Sequence, residues 1–134
     1  MTALIELEGV GEVYAKKLKE LGVATTAALL ERGATPKGRK ELAEAAGISE
    51  KLILEWVNLA DLFRIKGIGS EYSDLLEEAG VDTVVELASR IPENLHAKIL
   101  EINQAKKLVR RPPTLDQVKD WVEQAKALPR VVTY

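Results

Sequence analysis

One tight turn occurs twice in this chain. Gly9-Val10-Gly11-Glu12-Val13-Tyr14 returns 58 residues later, from position 9 to position 67, as Gly67-Ile68-Gly69-Ser70-Glu71-Tyr72. The match continues through Leu18 and Leu76, Glu20 and Glu78, Gly22-Val23 and Gly80-Val81, and Thr25 and Thr83. Two glycines one residue apart let the backbone turn tightly and approach a neighbour with no Cβ in the way. The apolar residue between them, Val10 or Ile68, can plug the turn into a core. A chain that carries such a turn twice is expected to build two similar units.

The punctuation between the turns is that of helices. Thr25 reads as the N-cap of a short helix ending at Gly33, and Thr35-Pro36 as an N-cap followed by proline at the first helical position. Gly47 closes that helix and Ser49 opens the next, whose apolar residues Leu52, Ile53, Trp56, Leu59, Ala60 and Phe63 recur at helical spacing. Asp82 or Thr83 caps a further segment, Pro92 opens a helix through Lys107, and Thr114 opens one that ends near Leu128-Pro129. Val, Ile and Thr alternate over no sustained run. The pattern predicts an all-α chain of about ten short helices.

The repeat is larger than the turn. Glu55-Trp56-Val57 is matched by Asp120-Trp121-Val122, 65 residues on from position 55 to position 120. The seven extra residues fall most easily around Val109-Arg110-Arg111-Pro112-Pro113. The expectation is one compact helical domain made of two four-helix repeats, residues 1–62 and 63–134, with the helix from Ser49 running straight into the second turn. Beyond Pro129, the β-prone tail Arg130-Val131-Val132-Thr133-Tyr134 reads either as a strap on the last helices or as a docking peptide for a partner.

A Gly-apolar-Gly turn between short helices resembles the helix-hairpin-helix motif, a family that mostly binds nucleic-acid backbone without reading sequence. The resemblance implies that amides at Gly9, Val10 and Gly11, and at Gly67, Ile68 and Gly69, contact a phosphate at the following helix N-terminus. The whole length, including the Trp56 region and the Pro129–Tyr134 tail, resembles a little-characterised prokaryotic family of unknown function built from tandem helix-hairpin-helix units. That family implies a fold and no activity.

Charge separates the two copies. The first turn is followed by Glu12 but then by Lys16, Lys17 and Lys19; the second is followed by Glu71, Asp74, Glu77 and Glu78. An acid in the first turn satisfies the helix dipole itself and repels a phosphate, so the first copy is the better phosphate site. Four matched positions also reverse sign: Glu6 and Glu8 against Arg64 and Lys66, and Lys16 and Lys19 against Asp74 and Glu77. These sets can face one another within a chain or between two chains. Equally, Glu12 with Lys16 and Lys16 with Glu20 make ordinary i,i+4 pairs on an exposed helix.

Lys37, Arg39 and Lys40 form a second cluster, at the helix end that disfavours cations unless an anion is expected. Lys106, Lys107, Arg110 and Arg111 lie where cations suit a helix C-terminus. Trp56 and Trp121 read as core, and Tyr14 and Tyr72 as braces between helices. His96 has no cysteine or second histidine with which to share a metal, so neither metal nor cofactor is expected. No nucleotide-binding loop or nucleophile elbow is present, which predicts a non-enzyme.

With 19 basic and 21 acidic residues the net charge is −2, which argues against a surface built throughout for polyanions. No apolar run approaches the roughly 18 residues of a membrane span, and no signal-peptide pattern opens the chain, so no membrane and a cytoplasmic location are expected. Two functions stay open. One is a sequence-independent binder of DNA or RNA backbone, carried by Gly9, Gly11, Lys16, Lys17 and Lys19 with help from Lys37, Arg39 and Lys40. The other is an adaptor that contacts a protein partner, or a second copy of itself, in which the turns are structural.

Overall fold

The computed structural model of the chain describes Leu4 and residues 10–134. Among these residues the chain is all-α, with eight helices and no strand: α1 (Gly11–Glu20), α2 (Thr26–Arg32), α3 (Pro36–Ala46), α4 (Glu50–Leu62), α5 (Ser70–Glu78), α6 (Val84–Ala88), α7 (Pro92–Lys106) and α8 (Leu115–Ala127). Against the expectation of about ten, these eight are the helices among the described residues, where Phe63–Gly69 and the proline segment before Thr114 stay as turns and extended chain. After Leu62 the backbone closes two single turns, Ile65 N–H to Leu62 O and Ile68 N–H to Ile65 O, rather than extending α4 into the second glycine turn.

Short polar side chains set most of the helix starts. Thr25, Thr35, Thr83 and Thr114 each accept a hydrogen bond from the amide three residues on, at 3.1, 3.1, 3.3 and 3.2 Å, and Ser49 does the same for Leu52 at 3.2 Å. Each such cap satisfies one of the amides that a helix start leaves without an internal partner. At Thr114 the cap is reciprocal, because Gln117 Oε1 accepts the Thr114 amide at 2.8 Å. Gly47 closes α3 in the left-handed conformation, and Lys107 does so for α7 at φ 52°.

The chain divides into two units. The first is Met1–Asp61 with Val131–Tyr134, and the second is Leu62–Arg130. In the first, α2 packs on α3, and α4 buries Ile53, Trp56, Val57, Leu59 and Ala60. In the second, α8 packs on α6 and α7 and α5 packs on α7. Its core gathers Leu75, Leu76, Val84, Leu87, Ile99, Val118, Trp121 and Val122. Both tryptophans are core residues, each 2% exposed.

The tail is a strap, but not on the last helices. It joins the first unit, where Thr133 N–H donates to Ala34 O at 2.8 Å and Val132 is buried. The reason is chemical: Ala34 and Arg39 present a carbonyl and a guanidinium that an extended backbone can satisfy together.

Candidate nucleic-acid interface

The two helices that follow the repeated turns, α1 and α5, begin without a side-chain cap. Val10 stands at the N-cap of α1 and Gly69 at that of α5, and neither supplies a hydrogen bond. α7, entered from Ile91 and Pro92, also lacks one. Such a start leaves first-turn N–H groups and the positive end of the dipole for another acceptor. That is the arrangement that holds an anion.

The turns themselves differ. Gly9 lies outside the described residues, as do Glu6 and Glu8. Gly11 has φ +70°, whereas its counterpart Gly69 has an extended φ of −108°. In the second copy the left-handed residue is Gly67, at φ +97°, and a Cβ there would lie 3.1 Å from Trp121 Nε1. Gly67 therefore has a packing reason to be glycine. Val10 and Ile68 are 2% and 5% exposed and plug their turns.

Lys16, Lys17 and Lys19 are exposed on α1, while Leu18 between them is buried. Lys17 Nζ lies 5.9 Å from the centre of the Tyr14 ring, within cation–π range. Glu12 occupies the first turn of α1 and Glu71 that of α5. In the second unit Lys106 pairs with Glu78, so part of the acidic face of α5 is neutralised from α7. Arg64 donates to Pro129 O at 2.7 Å, and the Lys66 backbone is clamped by Gln124, which accepts its N–H at 2.8 Å and donates to its carbonyl at 3.1 Å.

The second cluster is split. Lys37 and Lys40 are exposed at the start of α3, but Arg39 turns inward and is 6% exposed. Its guanidinium donates to Gly33 O at 2.9 Å, Ala34 O at 3.2 Å and Thr133 O at 2.7 Å. The expected role of Arg39 as an exposed phosphate contact is corrected accordingly: at the fourth helical position it lies on the face that Leu42 and Ala43 bury. Burial pulls its pKa below the usual guanidinium range, opposed by the charges at Tyr134 and Glu50; the group stays a cation.

Tyr14 and Tyr72 act as braces. The Tyr14 and Trp56 rings lie 5.2 Å apart and tilted by 50°, and Tyr72 and Trp121 lie 5.3 Å apart and tilted by 53°. His96 is half-buried and its Nε2 donates to Pro113 O at 3.0 Å. Among the described residues no group of His, Asp and Glu is placed to hold a metal ion.

One matched feature escapes a motif reading. Arg32 donates to Leu21 O at 3.2 Å and Arg90 to Gly80 O at 2.8 Å. Each arginine ties the end of its short second helix back to the turn after the first. Their separation, position 32 to position 90, is the 58-residue period of the glycine turns, which is the signal that could have found them.

Residues 8–128 match a family described as a domain of unknown function (DUF4332). No curated protein and no solved structure matches the chain.

Proposed function

The chain belongs to the DUF4332 family, described as a domain of unknown function, and from that premise we propose that it is a non-enzymatic tandem helix-hairpin-helix module that binds nucleic-acid backbone weakly and without regard to sequence. The observation that carries this reading is the start of α1. A ten-residue helix begins at a glycine of left-handed φ, has no side-chain cap, and carries three exposed lysines over its next two turns. The tandem character is supported by pairs of like contacts in the two units: the Tyr–Trp pairs, the Thr25 and Thr83 caps, and the Arg32 and Arg90 clasps.

In this reading the backbone amides at Gly11 and Glu12 hold one phosphate, and Lys16, Lys17 and Lys19 neutralise its neighbours. Lys37 and Lys40 add charge from α3. The second copy contributes packing through Gly67, Ile68 and Gly69, because Glu71 and Asp74 oppose an anion there. Contacts of this kind read charge and spacing rather than base edges. A second reading, a protein adaptor in which both turns are structural, is favoured by the acidic α5 and by the packing role of Gly67.

The test is fluorescence anisotropy of labelled single- and double-stranded DNA and RNA between about 50 and 200 mM salt. Three neutralised phosphates predict a log–log slope of about −2.7 on duplex DNA, roughly a 40-fold loss across that range. Lys16→Glu with Lys19→Glu should abolish binding, while the charge-matched pair Lys98→Glu with Lys119→Glu should leave most of it. Absence of binding at the lowest salt sinks the proposal and leaves the adaptor reading.

A further inference from the structure

The second unit carries a basic link that the first lacks. Eight residues, 107–114, join α7 to α8, whereas three, 47–49, join α3 to α4. The long link holds Lys107, Arg110 and Arg111; the short one, Gly47-Ile48-Ser49, holds no charge. Both α3 and α7 end on a residue in the left-handed conformation, Gly47 at φ 67° and Lys107 at φ 52°. Glycine adopts that conformation at a helix C-terminus without the steric penalty of a Cβ. Lys107 is the one non-glycine residue of positive φ among the described residues. A cation therefore stands where the local backbone favours glycine.

The link is held at three points. Asn103 accepts Val109 N–H at 2.9 Å and donates to its carbonyl at 3.1 Å. Tyr72 donates its hydroxyl to Arg111 O at 2.9 Å, and His96 Nε2 donates to Pro113 O at 3.0 Å. Val109 and Pro113 are buried, while Lys107, Arg110 and Arg111 are exposed. Every anchor takes a backbone group and leaves the cationic side chains to solvent. Lys106, at the end of α7, pairs with Glu78; among the described residues the three cations of the link have no such partner.

We propose, on the premise of the nucleic-acid reading, that this link is the second unit's phosphate contact, with Lys107, Arg110 and Arg111 each neutralising a backbone phosphate. It supplies the charge that the second glycine turn lacks, where Glu71 and Asp74 oppose an anion. Two of the three cations are arginines, whose planar fork matches a pair of phosphate oxygens. A backbone already anchored spares part of the ordering cost of binding. The link follows a helix C-terminus, so it draws nothing from the helix dipole and works by side-chain charge alone.

The test is the salt dependence of anisotropy on labelled duplex DNA. The three lysines of α1 by themselves account for a slope of about −2.7; three further phosphates take the unaltered chain to about −5.4, roughly a 2,000-fold loss between about 50 and 200 mM salt. Lys107→Gln with Arg110→Gln and Arg111→Gln should return the slope to about −2.7, while Lys98→Gln with Lys119→Gln and Lys126→Gln should leave it steep. Lys107→Gly separates charge from fold: it should raise the unfolding midpoint, since glycine suits φ 52°, and yet lessen the slope by about 0.9. Lys16→Glu with Lys19→Glu still abolishes binding, because the link lacks the free helix amides that α1 adds to its lysines. A slope that the triple link variant leaves unchanged, with DNA still bound, overturns this proposal and leaves the α1 site standing. No binding by the unaltered chain at the lowest salt removes both.

Discussion

The phenol ring of Tyr72 leans on the indole of Trp121 at a centre-to-centre distance of 5.3 Å and an angle of 53°. Tyr14 and Trp56 repeat the arrangement at 5.2 Å and 50°. In each unit, then, the residue just past the glycine turn is braced by the tryptophan of the unit's fourth helix. This is the contact through which a turn of high conformational freedom is held to a rigid helix.

A tilted aromatic pair contributes about 0.5–1.5 kcal/mol beyond the area it buries. Double-mutant cycles with leucine at Tyr72 and Trp121, and separately at Tyr14 and Trp56, should return coupling in that range for both pairs. Denaturant titration is sufficient to measure it. Tyr72→Phe should cost a further ~1 kcal/mol through the hydroxyl's bond to Arg111 O at 2.9 Å. Coupling near zero in either unit would mean that the rings are neighbours without being braces.

Gly38 should respond against its propensity. It lies inside α3, where alanine is ordinarily favoured over glycine by about 0.8–1.0 kcal/mol. Here a Cβ would collide with the backbone carbonyl of Arg32, at the end of α2, and would sit 3.3 Å from Thr35 Oγ1. A backbone carbonyl in a packed helix end cannot swing aside as a side-chain tip can. Gly38→Ala should therefore destabilise, by about 1–3 kcal/mol. A rise in midpoint temperature would show that α2 and α3 separate easily.

The contrast between Gly38 and Thr35 shows what was legible in the sequence. Thr35-Pro36 and Thr114 announced helix starts because capping is local chemistry, carried by residues three apart. The glycine turns and the two tryptophans were legible because they recur at nearly one period. Gly38 was silent, since only the approach of a distant carbonyl makes glycine necessary. Arg39 misled for the same reason: a basic triplet is composition, and which member turns inward depends on where the tail lands, 94 residues away. The turn residues were readable as a motif, but their different φ values in the two copies were not.

Asn103 closes the loop after α7 from within the core. It is 8% exposed, accepts Val109 N–H at 2.9 Å and donates to Val109 O at 3.1 Å. Asn103→Asp keeps the shape, loses the donor and sets a carboxylate against a carbonyl. The loss should be about 2–3 kcal/mol at pH 7. Protonating the introduced acid restores a donor, so the acid's folded-state pKa is raised and stability returns as pH falls. Urea unfolding at pH 7 and pH 4 should show the deficit shrinking at the lower pH, and an equal deficit at both would remove the donor from the explanation.

Asp82 should give the opposite kind of variant, one that stabilises. Its pKa is raised by burial of the carboxylate first and by the nearby charge of Glu86 second, while Arg90 pulls it down. A carboxyl whose folded-state pKa lies above its unfolded value contributes stability below the unfolded value and loses it as pH rises through the folded one. At neutral pH the charged form is therefore a small burden on the fold, kept small because the side chain is exposed on one side. Asp82→Asn removes the charge, leaves the neighbouring Thr83 cap in place, and should raise the midpoint of thermal unfolding at pH 7. Because the native carboxyl is protonated in acid, the gain should fade below about pH 4. A benefit that persists unchanged at pH 3 would assign the effect to the amide's hydrogen bonding rather than to charge.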